Sequence, residues 1–302
     1  MRACEDLSEK QYKTYDSILS NFKNGDYEPN IKYSSSEDMR EIKDNSIQLI
    51  ITSPPYNVGK HYGIYDDSKN KEDYLQYLDN IWSECKRVLC NGGRIAVNLA
   101  NVDRKPYKSL SSEITLRLRD LHGFLMRGEV IWNKSSSAGV STAWGSWRSA
   151  SNPTLRDVHE HIIIFSKDDW KLESDNFITT LSPNEFCLYT QSIWNMQAVS
   201  SKKNWHPTPF PLELPRRLIQ LYTYVDDAVL DPFLGSGTTC AAAKCLARRS
   251  YGYEIDQTYK DLINDQIIDV VDLAFDANDI NFNGKKWEEK LAELVKKRKS
   301  LA

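Results

Sequence analysis

Short apolar runs alternate along the chain with longer segments in which apolar residues recur every three or four positions. The short runs fit buried strands, and the longer segments fit helices with one apolar face. Seven strands are predicted, at 31–33, 47–52, 94–99, 128–132, 159–165, 228–230 and 251–256. Helices are predicted at 8–22, 36–43, 72–90, 110–122, 212–224 and 239–246. This alternation predicts an α/β fold with a doubly wound, mostly parallel seven-stranded sheet.

Four segments interrupt or extend the alternation. The polar, glycine-containing loop 58–71 follows a predicted strand, which indicates a lid or a substrate-contacting segment. Residues 133–157 show no sustained period, and residues 168–205 are polar with scattered aromatic side chains. We interpret 168–205 as a small inserted region and 257–302 as a helical tail. All of these are predicted to belong to one domain, 1–302.

Composition narrows the class of protein. The chain has 302 residues, of which 40% are hydrophobic and 27% charged, values typical of a soluble globular protein. No apolar run approaches the length of a membrane span, and the amino terminus lacks a secretory signal, so a cytoplasmic location is expected. The six cysteines form no C-x-x-C pair and have no histidine at zinc spacing, so no metal site is expected.

The first candidate site is the turn Ser53-Pro54-Pro55-Tyr56-Asn57, which directly follows a predicted strand. Two prolines fix φ and lack N–H groups, so they end the strand and stiffen the turn. Ser53 offers a hydroxyl and Tyr56 an aromatic ring for stacking. This combination suits a planar base with an exocyclic amine, although a lone Pro-Pro turn is more often a plain strand end.

The second candidate site follows a later strand, where a glycine-rich turn leads into a helix. Its predicted ligand contacts are Asp231, Pro232, Phe233, Gly235, Ser236, Gly237 and Thr238. The turn lacks the full G-x-G-x-x-G pattern and the G-K-[ST] of a phosphate loop, which disfavours phosphate. One strand later Glu254 stands where an acid binds ribose hydroxyls. An adenosine-containing ligand without phosphates, such as S-adenosylmethionine, is therefore predicted.

Together the two motifs, in this order, resemble the amino-methyltransferases that act on DNA bases. The segment 206–211 (HPTPFP) resembles the family segment that closes over the cofactor methionine, which implies cofactor contacts for His206, Thr208 and Phe210. The segment 156–167 (RDVHEHIIIFSK) is also similar to the family. The resemblance covers about 30–260 and implies a Rossmann-like methyltransferase that uses S-adenosylmethionine. It also implies that the insert 168–205 recognises the DNA target.

The first residue of the catalytic motif divides the family. Asp or Asn before Pro-Pro-Tyr is typical of adenine-N6 enzymes, and Ser is typical of cytosine-N4 enzymes, so Ser53 implies cytosine N4. The expected catalytic residues are Ser53, Pro54, Pro55 and Tyr56. One departure is that residues 34–36 (SSS) stand where many relatives have an acidic residue. An adenine-N6 enzyme and a catalytically silent DNA-binding module remain the alternatives.

Double-stranded DNA is the partner that the family resemblance implies. The net charge of −3 does not indicate DNA binding, and the excess of basic over acidic residues between 104 and 156 fits either a local basic face or a solvated mixed surface. Candidate DNA contacts are Lys134, Trp144, Trp147, Arg148, Lys202 and Lys203. His159 and His161 are interpreted either as catalytic bases or as structural residues at a strand end. The family resemblance also implies a restriction-modification system in a bacterial or archaeal cell, with a cognate endonuclease and a homodimer as further expectations.

Overall fold

The structure is a computed structural model, and seven stretches of the chain are described. These stretches are 2–59, 61–62, 65–102, 106–135, 146–174, 177–199 and 210–282. The helices are α1 (Arg2–Lys23), α2 (Lys71–Val88), α3 (Leu110–Leu116), α4 (Pro183–Tyr189), α5 (Glu213–Tyr222), α6 (Thr238–Cys245) and α7 (Lys260–Ile268). A π-helical turn, Arg117–Leu121, continues α3, and 3-10 turns lie at Gln257–Tyr259 and Ala277–Asp279. Within the described stretches, every helix is too short or too polar to cross a bilayer.

The strands form one large sheet and two small ribbons. They are β1 (Asn30–Lys32), β2 (Ile47–Thr52), β3 (His61–Tyr62), β4 (Tyr65–Asp66), β5 (Leu89–Leu99), β6 (Leu125–Asn133), β7 (His159–Ser166), β8 (Ile178–Thr179), β9 (Ile193–Asn195), β10 (Ala228–Asp231), β11 (Arg249–Tyr253) and β12 (Asn281–Phe282). The large sheet has the order β1-β11-β10-β2-β5-β7-β6-β9. Within it only the pairs made by β7 are antiparallel.

The predicted α/β class with a mostly parallel sheet is confirmed, and the sheet has eight strands where seven were expected. The additional strand is β9, which pairs in parallel with the end of β6. It lies inside the segment interpreted as an insert, 168–205. Three residues give too short a run for a strand pattern to be recognised in the sequence.

The sheet is covered on both faces, as expected for a doubly wound fold. On β2, Leu49 and Ile51 point into one core with α1, α5 and α6, while Ile50 points into the other with α2 and α3. The same alternation divides Ile162 from Ile163 on β7. Because successive side chains of a strand point to opposite faces, a strand buried on both sides must be continuously apolar.

The carboxyl ends of β1, β11, β10, β2 and β5 meet along one edge of the sheet, because these strands run parallel in neighbouring positions. The loops that follow them therefore lie side by side although they are far apart in sequence. Ligands of open α/β sheets bind at this edge.

Two predicted helical segments differ from the structure. Residues 36–43 form turns, because the Arg87 guanidinium donates to the carbonyls of Met39 and Ile42 and so takes carbonyls that a helix would use. In the tail, α7 ends at Ile268 and turns lead to β12, which pairs with β8. The helical prediction for 283–302 lies outside the described residues.

Candidate active site

A buried carboxylate joins the ends of β2 and β10. Asp231 accepts hydrogen bonds from Thr52 Oγ1 (3.0 Å), the Phe233 amide (3.1 Å) and Thr239 Oγ1 (2.7 Å). The carboxylate is fully buried, and burial raises the pKa of Asp231 to about 6. The three donors come from three separate positions, so Asp231 fixes both loops of the candidate site to each other.

The glycine-rich turn after β10 depends on backbone conformations that favour glycine. Gly235 has a φ of 56° and Gly237 a φ of 86°, both in the left-handed region. Gly237 directly precedes α6, and a Cβ atom there would lie 3.2 Å from Ile263 Cγ2. The turn therefore brings bare backbone and the start of α6 to the carboxyl edge of the sheet.

Glu254 follows β11 and braces the same turn. Its Oε2 accepts a hydrogen bond from the Gly235 amide (2.8 Å), and its Oε1 accepts one from the Asp256 amide (2.9 Å). Burial raises the pKa of Glu254 to about 7, and the two amide donors oppose that shift. The carboxylate keeps further lone pairs that can accept from ligand hydroxyls.

One cleft connects this turn with the Ser-Pro-Pro-Tyr loop. Its lining comprises Ser34, Ser35, Ser36, Ser53, Pro55, Tyr77, Phe210, Pro232, Phe233, Leu234, Gly235, Ser236, Thr238, Tyr253, Glu254, Ile255 and Tyr259. Within the described stretches these residues are aromatic, aliphatic or hydroxylic, with Glu254 as the one charged member and no lysine or arginine among them. A flat apolar base and a ribose fit such a wall, whereas a pyrophosphate would lack a cationic partner.

Most of the predicted cofactor contacts are brought together here. Phe210, Pro232, Phe233, Gly235, Ser236, Thr238 and Glu254 all line the cleft. Asp231 and Gly237 do not, since Asp231 turns its carboxylate into the protein and Gly237 packs on α7. His206 and Thr208 lie outside the described residues. The serines at 34–36, which the sequence marked only as a departure from the family pattern, also belong to the wall.

The catalytic loop differs in detail from the prediction. Ser53 and Pro55 line the cleft, and Pro54 is buried between them. The Pro55 carbonyl accepts a hydrogen bond from Tyr74 Oη (2.7 Å), so this carbonyl already has a donor. Tyr56 is only 7% exposed and belongs to the core on the α2 side. Little of its ring is therefore accessible for the predicted stacking on a base.

The Tyr56 hydroxyl instead belongs to a polar network behind Ser53. It lies 3.0 Å from Ser53 Oγ and 3.4 Å from Glu160 Oε2. Asn98 Nδ2 donates to Glu160 Oε2 (2.6 Å), and Lys134 Nζ pairs with Glu160 Oε1 (2.5 Å). Asn98 and Glu160 were not predicted as site residues. The sequence signals for Glu160 were its charge at the start of a buried strand and its place in the segment 156–167, which is similar to the family.

The predicted DNA contacts are only partly described. Lys134 Nζ forms an ion pair with Glu160, and its predicted contact with DNA stays a prediction. Trp147 is 65% exposed, and the Arg148 guanidinium lies 5.5 Å from the centre of its ring. Trp144, Lys202 and Lys203 lie outside the described residues.

The two histidines of β7 contact each other and a neighbouring acid. Their ring centroids are 4.9 Å apart, and His161 Nδ1 lies 2.5 Å from Glu129 Oε1. Asn101 Nδ2 lies 3.2 Å from the other ring nitrogen of His161. These contacts give His161 partners on both nitrogens, as the structural interpretation requires.

The described part of the loop 58–71 is anchored at its base. Asp67, which is 2% exposed, accepts from the amides of Asn57 (2.8 Å) and Val58 (3.0 Å). Asn57 Nδ2 donates to the Lys69 carbonyl (2.8 Å). Residues 60, 63 and 64 lie outside the described stretches, so the predicted lid function stays a prediction.

The sheet is doubly wound, and its cleft fits an adenosine and extends to the loop that carries the Ser53 hydroxyl. This arrangement is typical of a cofactor-dependent group transferase. The chain belongs to the N6/N4 DNA methylase family, whose sequence model, described as DNA methylase, matches residues 47–265. S-adenosylmethionine is accordingly its cofactor, and the residues of the cleft fit this molecule.

Individual relatives agree with this assignment. The Type II methyltransferase M.MthZI of Methanothermobacter thermautotrophicus is 32% identical over 277 residues, covering 81% of this chain and 78% of the relative. A DNA modification methylase of Thermus thermophilus, solved in complex with S-adenosyl-L-methionine, shares 25% identity with a TM-score of 0.62, covering 80% of this chain and 96% of that one. The cytosine-N4-specific PvuII DNA methyltransferase shares the fold at 18% identity, with a TM-score of 0.63 and 82% and 88% coverage.

Proposed function

We propose that the protein transfers a methyl group from S-adenosylmethionine to the exocyclic N4 atom of cytosine in double-stranded DNA. The observation that carries this proposal is the single cleft lined both by Ser53 and Pro55 and by the turn around Gly235 and Glu254. A methyl donor held at the turn and an amine held at the proline loop would meet inside that cleft.

The chemistry requires an acceptor beside the amine. The lone pair of the cytosine N4 atom is delocalised into the ring, so the amine becomes a nucleophile only when that pair is localised on nitrogen. Ser53 Oγ and the Pro54 carbonyl are proposed to accept the two N4 hydrogens and so favour localisation. Holding the reacting atoms in line can lower the barrier by about 7–11 kcal/mol.

Ser53 also supports cytosine over adenine. Ser at this position of the catalytic motif is typical of cytosine-N4 enzymes in the family, whereas Asp or Asn is typical of adenine-N6 enzymes. Within the described residues the hydroxyl already faces a polar network through Tyr56. The bound cofactor supplies the methyl group as an electrophilic sulfonium substituent, and the chain itself supplies only positioning.

The target base must leave the duplex to reach a cleft of this kind, at a cost of about a few kcal/mol. Trp147 and Arg148 are exposed next to each other and are proposed to contact DNA, and the insert 168–205 is proposed to recognise the target. By analogy with its Type II relatives, the protein is proposed to belong to a restriction-modification system with a cognate endonuclease. A homodimer stays a prediction.

Product analysis tests the assignment directly. Unmethylated genomic DNA is incubated with the protein and methyl-labelled S-adenosylmethionine, digested to nucleosides and separated by chromatography. Label in N4-methyldeoxycytidine is the expected result. Label in N6-methyldeoxyadenosine would show that the target base is adenine. Absence of S-adenosylmethionine binding by calorimetry would instead support a catalytically silent DNA-binding module.

A further inference from the structure

The direction of one hydrogen bond decides whether Ser53 can accept a hydrogen from the amine. A serine hydroxyl carries one hydrogen, and its lone pairs are available to a ligand when that hydrogen is donated elsewhere. The nearest described partner is Tyr56 Oη, 3.0 Å away, and either oxygen of that pair can be the donor. Something beyond Tyr56 must therefore set the direction.

Glu160 is the group that sets it. A carboxylate only accepts, so the contact of 3.4 Å between Tyr56 Oη and Glu160 Oε2 makes the tyrosine hydroxyl the donor. Asn98 Nδ2, an obligate donor, lies 3.4 Å from the same tyrosine oxygen. With its hydrogen on Glu160, Tyr56 Oη offers lone pairs to Asn98 and to Ser53. Ser53 then donates to Tyr56 and keeps its own lone pairs for the substrate.

Lys134 forms an ion pair with the other oxygen of Glu160. Its Nζ lies 2.5 Å from Glu160 Oε1, and the two side chains are only 23% and 14% exposed. At such low exposure a charged pair is screened weakly by solvent. Backbone pairing aligns the two residues, because the Lys134 amide donates to the Val158 carbonyl just before β7 begins (2.8 Å). The ion pair thus keeps an obligate acceptor in place behind Tyr56.

We propose that Glu160 is a positioning residue that acts through Tyr56 to orient the Ser53 hydroxyl. The relay runs from Ser53 through Tyr56 to Glu160, with Asn98 and Lys134 fixing its far end. This inference rests on the proposed role of Ser53 as the acceptor for the amine. It applies whether that amine belongs to cytosine or to adenine, since the relay touches only the serine.

The test compares Glu160→Gln with wild type. Glutamine keeps the size of the side chain, but its amide group can donate to Tyr56 and reverse the relay. The kcat for methyl transfer to DNA is expected to fall about ten- to hundred-fold, as for loss of a hydrogen bond to a charged group. The KM for DNA and the Kd for S-adenosylmethionine are expected to stay within about twofold. Glu129→Gln, on the neighbouring strand β6, is the matched control and is expected to keep wild-type kcat.

A second pair of variants separates positioning from a general loss of structure. Tyr56→Phe removes the central hydroxyl and is expected to lower kcat to a similar extent. Adding Glu160→Gln to Tyr56→Phe is then expected to change kcat by less than about twofold, because the relay is already broken. Partial rescue by Glu160→Asp is also expected, since the shorter carboxylate is still an obligate acceptor.

Several outcomes would overturn the inference. A folded Glu160→Gln protein with wild-type kcat would do so, and so would fully additive losses in the double variant. If Glu160→Gln does not fold, an unchanged kcat in Tyr56→Phe would be equally decisive. Digestion of the methylated DNA to nucleosides identifies the methylated base. If the wild-type protein methylates adenine, the cytosine assignment is wrong, but the kcat ratios of the variants still test the role of Glu160. A wild-type protein without any transfer would refute both.

Discussion

Asp231 and Glu160 are carboxylates that stand behind the two halves of the cleft, and their surroundings differ. Asp231 is fully buried and is held by two threonine hydroxyls and one amide, with no cation bound to it in the described part of the chain. Glu160 is partly exposed and forms an ion pair with Lys134. One carboxylate is stabilised by fixed dipoles and the other by a countercharge.

These surroundings determine what each carboxylate can do. The donors to Asp231 come from the end of β2, the glycine-rich turn and α6, so Asp231 ties backbone segments together. Glu160 contacts a hydroxyl that can rotate, so it controls the orientation of a proton. Asp231 is therefore expected to matter for stability, and Glu160 for turnover.

Removal of the Ser53 hydroxyl, which Glu160 is proposed to orient through Tyr56, is expected to have the largest effect on kcat. Ser53→Ala is expected to lower kcat by about 10²–10³, the range seen when one positioned hydrogen-bonding group is lost at a reacting atom. The Kd for S-adenosylmethionine should change little, because Glu254 and the turn remain. Steady-state methyl transfer and calorimetry measure the two quantities.

Ser46→Ala provides the control for Ser53→Ala. Ser46 directly precedes β2, at the opposite end from Ser53, and bonds to the Lys43 carbonyl (2.7 Å). Wild-type kcat is expected for this variant. If Ser53→Ala also has wild-type kcat, Ser53 is not the acceptor for the amine, and the proposed role of Glu160 is refuted with it.

The sequence predicts the two loops of the cleft but not the contacts of Glu160. The parallel strands and the residues of both loops follow from local patterns, because each motif is continuous in the chain and directly follows a strand. Glu160 and Asn98 meet only through the pairing of β7 with β5, across 62 positions, and no local pattern records such a contact. No local pattern records the burial of Tyr56 in the core on the α2 side either. Stacking on a base was therefore predicted for a ring that is largely covered.

The pH dependence of the unfolding free energy tests whether Asp231 has a structural role. Its pKa, raised by burial to about 6, exceeds that of an unfolded aspartate, so the folded state binds more protons between about pH 4 and 6. Wild-type stability should therefore lose a contribution of up to about 3 kcal/mol as pH rises through that window. Asp231→Asn removes this dependence while keeping the size of the side chain. Denaturant unfolding at several pH values measures the difference in unfolding free energy between the two proteins.

The expected signature is a gain in the stability of Asp231→Asn relative to wild type from about pH 4 to about pH 7. Asp227 also has a raised pKa, but it is present in both proteins and its contribution cancels in the difference. The pKa of Glu254 is raised in part by the Asp231 charge, so Asp231→Asn removes that part together with the Asp231 contribution. A difference that does not change with pH would show that the charge on Asp231 is not penalised. A complete loss of cofactor binding in a stable Asp231→Asn protein would make Asp231 a ligand contact after all.

A third effect concerns Glu254, which combines features of both carboxylates because it braces a turn and also faces the cleft. Glu254→Gln is expected to weaken S-adenosylmethionine binding by about ten- to hundred-fold, since ribose hydroxyls would lose a charged acceptor. Asp261→Asn at the start of α7 is the control, because Asp261 is exposed and outside the lining. Unchanged affinity in Glu254→Gln would assign ribose binding to other groups of the cleft, with the serines at 34–36 the first to test.

The smallest effect, a pH dependence of cofactor affinity, tests the same carboxylate without a substitution. Burial raises the pKa of Glu254 to about 7, so at lower pH a proton occupies the oxygens that would accept the ribose hydroxyls. The positive charge of the sulfonium also favours the ionised form of Glu254. Affinity should therefore rise with pH and be roughly tenfold weaker at pH 6 than at pH 8. Calorimetry of the wild-type protein across this range measures the slope.

The amino group of the ligand titrates as well, so Glu254→Gln serves as the reference and is expected to lack the part of the slope that belongs to the protein. Equal slopes in both proteins would mean that Glu254 is already ionised throughout, and that the amides of Gly235 and Asp256 outweigh its burial.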